Sequence, residues 1–307
     1  MSKKIFVTIL LVHCTIIAIA CDICGSGAGS SYMGILPDFN AKIVGLRYRY
    51  NSLQTHVGPN GSSTYLTTPE AYHAMDIWAG WTFKERFRIM ASLPISYNRK
   101  TKQSTEVSKS GLGDASLQAF YRLINSNTKI AKQRLLVQNL WLGAGIKMPT
   151  GKYEPKDKEG ASKNANLFQL GTGSLDFNLL AMYDVRIQNI GLNLTGSYKI
   201  NTTNIYAYYY GNKFSGNAQV YYRVNLKDKA SVSPNIGLSF EQSSKDLDDG
   251  YSVFASGGQM VFATLGTELL YKKISIGGNY QHVLSQQLAH GIVSANNKLM
   301  LHVSFLF

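Results

Sequence analysis

The stretch MDIWAGWTFKERFRIMASLPISY, residues 75–97, decides how the rest of this chain is read. Met75, Ile77, Ala79, Trp81 and Phe83 alternate with Asp76, Trp78, Gly80 and Thr82. After Lys84-Glu85-Arg86 the alternation resumes with Phe87, Ile89, Ala91, Leu93, Ile95 and Tyr97. A period of two puts each apolar set on one side of an extended strand, and a short charged link between two such runs is a tight turn. Residues 75–97 therefore read as a hairpin with one continuous apolar face, which needs a core or a lipid to cover it.

The same period recurs along the chain. It runs from Val44 to Tyr50, Ala115 to Leu123, Leu140 to Ile146, Leu175 to Tyr183, Ile190 to Tyr198, Phe214 to Val224, Val232 to Phe240, Val261 to Tyr271, Ile274 to Leu284 and Leu299 to Phe307. With the first hairpin this makes about twelve strands of roughly ten residues, the length a tilted strand needs to cross a bilayer. After residue 20 no apolar run approaches the roughly 20 residues of a spanning helix. Tight links fall at 84–86, 186–189, 227–229 and 272–273; long polar ones fall at 52–71, 99–111, 149–167, 201–213, 242–257 and 285–296. Only the connection around Ile124 to Gln133 is intermediate. Short and long alternate, as they must when all turns sit at one rim of a barrel and all loops at the other.

Aromatic placement separates a membrane barrel from a soluble one. Trp81, Phe83, Phe87, Tyr121, Tyr183, Tyr222, Tyr271, Phe305 and Phe307 fall near the short-turn rim, Tyr50, Tyr97, Tyr198 and Tyr280 toward the other, with aliphatics between. Rings gather at headgroup level because they join an apolar body to polar edges. The opposite face carries Asn139, Gly143, Gly145, Asn178, Asn193, Ser197, Asn217, Gln219, Asn235, Ser239, Gly277 and Asn279, which predicts a wet lumen lined by small polar groups. The expected fold is all-β: a transmembrane antiparallel up-and-down barrel of about 12 strands in the bacterial outer membrane, with periplasmic turns and extracellular loops.

Residues 1–20 read as a signal peptide: Lys3 and Lys4, an apolar run from Ile5, and the small-x-small site Ala18-Ile19-Ala20. The barrel is expected over 41–307, and 21–40 as a periplasmic segment whose Met33, Ile35, Leu36 and Phe39 could dock into the lumen as a plug. Cleavage would leave Cys21 first, resembling a loose lipobox, so lipidation of Cys21 is one reading. Cys21 and Cys24 pairing as a disulfide or holding a metal are others, and the spacing alone leaves them open. The formal net charge is +13. Beside a secretory signal this points away from nucleic acid and toward anionic lipid or an anionic solute.

Charged residues on the lumen face are the candidate site: Arg47, Arg49, Asp76, Asp114, Lys147, Asp176, Arg223 and Glu268, with Arg122 and Lys199 beside them. Arg47 and Arg49 point the same way and would tilt selectivity toward acids, while Asp114, Lys147 and Asp176 face inward from adjacent strands, close enough to pair as a gating latch. Bracing of the lumen wall is the competing role. His302 and Ser304 share one face and suggest a barrel-wall hydrolase, but no third residue orients them and the face is polar. SSKDLDDG, residues 243–250, echoes a calcium loop without its glutamate but reads first as a solvated loop, and YAYYYGNKF, residues 206–214, reads as an outer loop whose tyrosines pack it or the barrel mouth, with aromatic substrate contact as the other role.

Three motifs, GLGDASLQAFYRL at 111–123, GAGIKMPTGKY at 143–153 and LGTGSLDF at 170–177, resemble outer-membrane barrels of the meta-pathway of phenol degradation family. The resemblance implies a transporter-like barrel for small aromatic or hydrophobic compounds and transfers no binding residue. Outer-membrane barrels also commonly end in a phenylalanine read by their assembly machinery, which here would be Phe307. The expectation is a channel or passive transporter for small solutes, with no enzyme activity and no cofactor; a structural or adhesive barrel with a closed lumen is the alternative.

Overall fold

The computed structural model describes residues 42–130, 134–157, 166–226 and 230–307. The signal peptide, Cys21, Cys24, the proposed plug over 21–40 and the turn at 227–229 lie outside the described residues. Twelve long strands form the wall: β1 (Ile43–Thr55), β2 (Thr68–Phe83), β3 (Phe87–Lys102), β4 (Ser116–Ile130), β5 (Arg134–Lys147), β6 (Asp176–Ile187), β7 (Ile190–Ile200), β8 (Lys213–Tyr222), β9 (Ala230–Ser243), β10 (Gly258–Tyr271), β11 (Ile274–Leu288) and β12 (Lys298–Leu306). Each pairs antiparallel with its sequence neighbours, and β12 pairs with β1 from Ile43↔Leu306 to Tyr50↔Leu299, so the sheet closes on itself.

Turn chemistry sets the register. Between β2 and β3, Lys84 and Glu85 both take positive φ and the Arg86 amide donates to the Phe83 carbonyl, a primed turn inside the three-residue link that joins the paired Phe83 and Phe87. The intermediate connection is shorter than its sequence suggests. β4 runs to Ile130 and β5 resumes at Arg134 in register with it, after a bulge between Arg122 and Ile124 that shifts the alternation. That bulge hid the strand from a strict period of two.

Apolar residues face outward around the whole wall; Leu265 and Ile236 are 63% and 62% exposed. At the short-turn rim Trp81 meets Phe307 edge-on, Phe87 packs on Tyr121, and the Lys42 ammonium lies 4.0 Å over Trp81. At the other rim Tyr50, His73 and Tyr97 stand side by side. This is the belt and paired girdles of an outer-membrane barrel. Leu265 lies near mid-strand, so Leu265→Arg should cost about 2–4 kcal/mol and Tyr271→Arg at the rim about 0–1. Refolding titrations into lipid vesicles read the difference; equal costs would contradict a lipid-facing belt.

Candidate functional site

The lumen does not match the uniformly wet, small-residue interior expected from its inward asparagines and serines. It is layered. Nearest the short-turn rim, Ile43, Trp78, Met90, Phe120, Trp141, Leu180, Met182, Leu270 and Leu306 form one buried apolar cluster. They come from β1 to β6, β10 and β12, all from inward positions. Room for them is made by inward glycines: a Cβ at Gly143 would overlap the Phe120 ring. Bulk on one strand is matched by absence of bulk on the next, so a wide barrel is filled locally by apolar side chains.

Above this ring the wall turns ionic. Asp76 is buried, and its carboxylate accepts from Arg47 Nε at 2.7 Å and from Arg49 Nε and Nη2 at 2.8 and 2.7 Å. Arg47 and Arg49 therefore do not form an unopposed cationic pair, because Asp76 on the adjacent strand lies between them. Opposite stands a second group in which Lys147 reaches Asp114 at 2.6 Å and Asp176 at 2.8 Å, with Lys199 3.4 Å from Asp176. Arg47, Arg49 and Asp76 from the first group and Asp114, Lys147 and Lys199 from the second line a cavity of about 110 Å³ based on Trp78 and Met90.

The roof is formed by the described part of the connection between β5 and β6, chiefly residues 166–170. Asn166, Leu167, Phe168, Gln169 and Leu170 are all buried, and Leu167 and Phe168 join Leu53, Tyr72, Met260, Phe262 and Leu288 in an upper apolar cluster inside the barrel. The Asn98 side chain donates to the Gln169 carbonyl, and Lys109 donates to the Phe168 carbonyl while lying over its ring. The neck of this inward loop is held by the Asp114–Lys147–Asp176 group. Lys147 is the last residue of β5 and Asp176 the first of β6; Asp114 accepts from the Gly151 and Thr172 amides, and Lys147 also donates to the Thr172 hydroxyl. Both Asp114 oxygens and Asp176 Oδ1 accept hydrogen bonds, and the Lys147 and Lys199 ammoniums lie against Asp176 Oδ2, so each buried carboxylate of this low-dielectric knot is opposed by a cation, the condition under which a buried ion group is stable.

The remaining candidates fall elsewhere. Glu268 accepts from His302 Nε2 at 2.9 Å across β11, at a point where a Cβ on Gly277 would overlap the carboxylate. The Ser304 hydroxyl finds no partner among the described residues, so the His302–Ser304 dyad is not assembled. Arg223 sits apart from the mid-lumen groups: its amide bonds the Asn189 carbonyl beside the short-turn rim and interrupts the end of β8. Arg122 lies there too, 5.1 Å over Trp141. Sequence reasoning passed over a Glu241 bridge to Lys213 at 2.9 Å and Lys298 at 2.7 Å, whose three residues come from separate strands with no shared motif.

Outside the membrane, residues 208–209, 247–248 and 251–252 make a small sheet over the barrel. Tyr208 and Tyr210 are fully buried beneath it, and the Tyr208 hydroxyl donates to Asp246 at 2.5 Å. Asp246 also accepts from the Gly211 amide, and no acidic or histidine cluster with metal-binding geometry occurs among the described residues. The acidic stretch is a packing element of the loop cap.

The sequence matches the family described as "Putative MetA-pathway of phenol degradation" over residues 37–263. The chain belongs to this family. Among solved structures, the COG4313 outer membrane channel from Pseudomonas putida F1 superposes with a TM-score of 0.65 at 14% identity, covering 89% of this chain and 100% of that one. The beta domain of the Bordetella autotransporter BrkA gives 0.47 at 12% identity, covering 86% and 99%. No curated protein matches the sequence. At 14% identity the first of these shows the fold alone, that of an outer-membrane β-barrel. The three family motifs at 111–123, 143–153 and 170–177 converge on the loop neck: they contribute Asp114, Lys147, Gly151, Thr172 and Asp176.

Removing Lys147 leaves two buried carboxylates facing each other. Lys147→Met should destabilise the barrel by about 3–5 kcal/mol, measured as the denaturant midpoint in lipid, and should expose residues 166–175 to protease. A milder release comes from acid. The Lys152 ammonium, and Lys109 behind it, hold the Glu154 carboxyl down to about 2, below its usual 4.5. A depressed carboxyl contributes its anchoring above the unfolded value and loses it as pH falls through the folded one. Pepsin cleavage of this loop should therefore rise more steeply between pH 4.5 and 2 in the wild type than in Glu154→Gln, and equal slopes would contradict an anchoring role for Glu154.

Proposed function

We propose that this chain is a passive outer-membrane transporter that admits small solutes carrying substantial apolar surface and holds back free ion flow. One observation carries the reading: the vertical order of the lumen, in which an ionic cavity lies directly above a constriction of Trp78, Met90, Phe120, Trp141 and Met182. Apolar constrictions exclude hydrated ions by dewetting. A solute with an apolar body gives up little water-facing surface in touching them. The inward loop above the cavity, tied at its neck by Asp114, Lys147 and Asp176, is then the gate. The family's description points to aromatic solutes, and the Pseudomonas putida protein of like fold is an outer membrane channel; both support the class of activity.

The reading is non-enzymatic: His302 is engaged with Glu268 rather than with Ser304. Outer-membrane lipid is the solvent of the belt, and Phe307 is proposed as the signal the assembly machinery reads. A second reading, a structural or adhesive barrel with a permanently shut lumen, is favoured by the dense packing of Tyr208, Tyr210 and Val253 in the outer cap.

Proteoliposomes distinguish them. The intact chain should show low ionic conductance yet take up phenol faster than glucose. Phe120→Ala combined with Trp141→Ala should raise conductance severalfold, because the ring no longer dewets. If the folded wild type and this variant pass neither ions nor phenol, the transport reading fails and the shut barrel stands.

A further inference from the structure

The lumen cavity holds donors without acceptors. Arg47 uses only Nε on Asp76, so neither terminal guanidinium nitrogen has a partner among the described residues. Its side chain keeps 15% exposure, enough to face open space. Trp78, at the base, is 5% exposed, and its indole Nε1–H is buried with no acceptor among the described residues. A buried donor left unmade is costly, which marks it as a place where something accepts. Arg49, Lys147 and Lys199 add positive charge, against Asp76, Asp114 and Asp176, leaving one cation in excess around the space.

The shape and lining narrow the ligand further. At about 110 Å³ the cavity is of the order of the roughly 150 Å³ void that takes a benzene ring. Trp78, Met90, Pro94 and Leu170 give it apolar walls, and Asn178 adds a carbonyl oxygen with no donor among the described residues. A planar fork with two free N–H groups fits a carboxylate in bidentate geometry, which an ammonium does not reproduce.

We propose that this cavity is a binding site for a small aromatic carboxylate: the acid group on the Arg47 fork with the Trp78 N–H as a further donor, and the ring on Trp78 and Met90. Hydroxyl groups on the ring would donate to Asn178. Within the transport reading this makes an aromatic acid the solute held most tightly, ahead of the neutral phenol that the apolar ring also admits. It rests on that reading only for the route by which the ligand arrives.

The test separates binding from passage. Benzoate, benzyl alcohol and benzylamine are titrated against the detergent-solubilised full chain by calorimetry, and each is assayed for proteoliposome uptake. Benzoate should bind saturably and at least about tenfold more tightly than the alcohol or the amine. Arg47→Lys keeps the charge beside Asp76 but loses the fork, and should weaken benzoate about tenfold or more. Trp78→Phe keeps a ring and loses the N–H, and should weaken it severalfold with a native circular dichroism spectrum. Benzoate binding no better than benzylamine, or unmoved by Arg47→Lys in a folded barrel, overturns the site. Binding without uptake sinks the passage and leaves the site, while uptake of all three without binding does the reverse.

Discussion

Everything in this molecule follows from the closure of one hydrogen-bonded ladder. In hydrocarbon a backbone amide or carbonyl has no water to bond, and each one left open costs several kcal/mol. Twelve strands satisfy one another only if the last finds the first, and the pairing of Leu306 with Ile43 through Leu299 with Tyr50 supplies that seam. Once the ring is closed, the alternation of side chains is no longer free. One set must face lipid, the other the lumen, and a one-residue slip anywhere would exchange them.

A closed ring of twelve strands encloses more space than small side chains can fill, and the chain meets that excess in layers. Large apolar groups narrow the end near the short turns, opposed by inward glycines such as Gly143. Ionic groups occupy the middle, each anion shared between two or more donors: Asp76 between Arg47 and Arg49, Asp176 between Lys147 and Lys199. A loop fills the top, entering from outside and anchored where β5 and β6 emerge. Charge pairing sits where the wall alone would be too far apart to pack, and the apolar layers above and below keep it from being diluted by bulk water.

The physical separation of roles is consistent with how the family motifs are distributed. Glycines and Pro149 near the outer rim end the strands and let the loop turn inward, while Asp114, Lys147 and Asp176 tie that turn down. Arg47, Arg49 and Asp76 lie outside those motifs, on the first two strands, and face the loop neck across the cavity. Scaffold and candidate recognition surface thus come from different parts of the chain.

The sequence by itself determined the wall. Period two, turn lengths and aromatic height are local properties, each read from a handful of neighbouring residues, and lipid enforces them uniformly. The meeting of Asp114, Lys147 and Asp176 was legible for the same reason: their strands are adjacent in the chain. Only the tertiary structure decided the lumen. Which inward side chains meet depends on register and curvature summed around the ring, so the apolar constriction, the Glu268–His302 pair across Gly277 and the Glu241 bridge have no local signature. A barrel interior is a long-range object, and inward residues that look interchangeable in sequence are sorted there by what stands opposite.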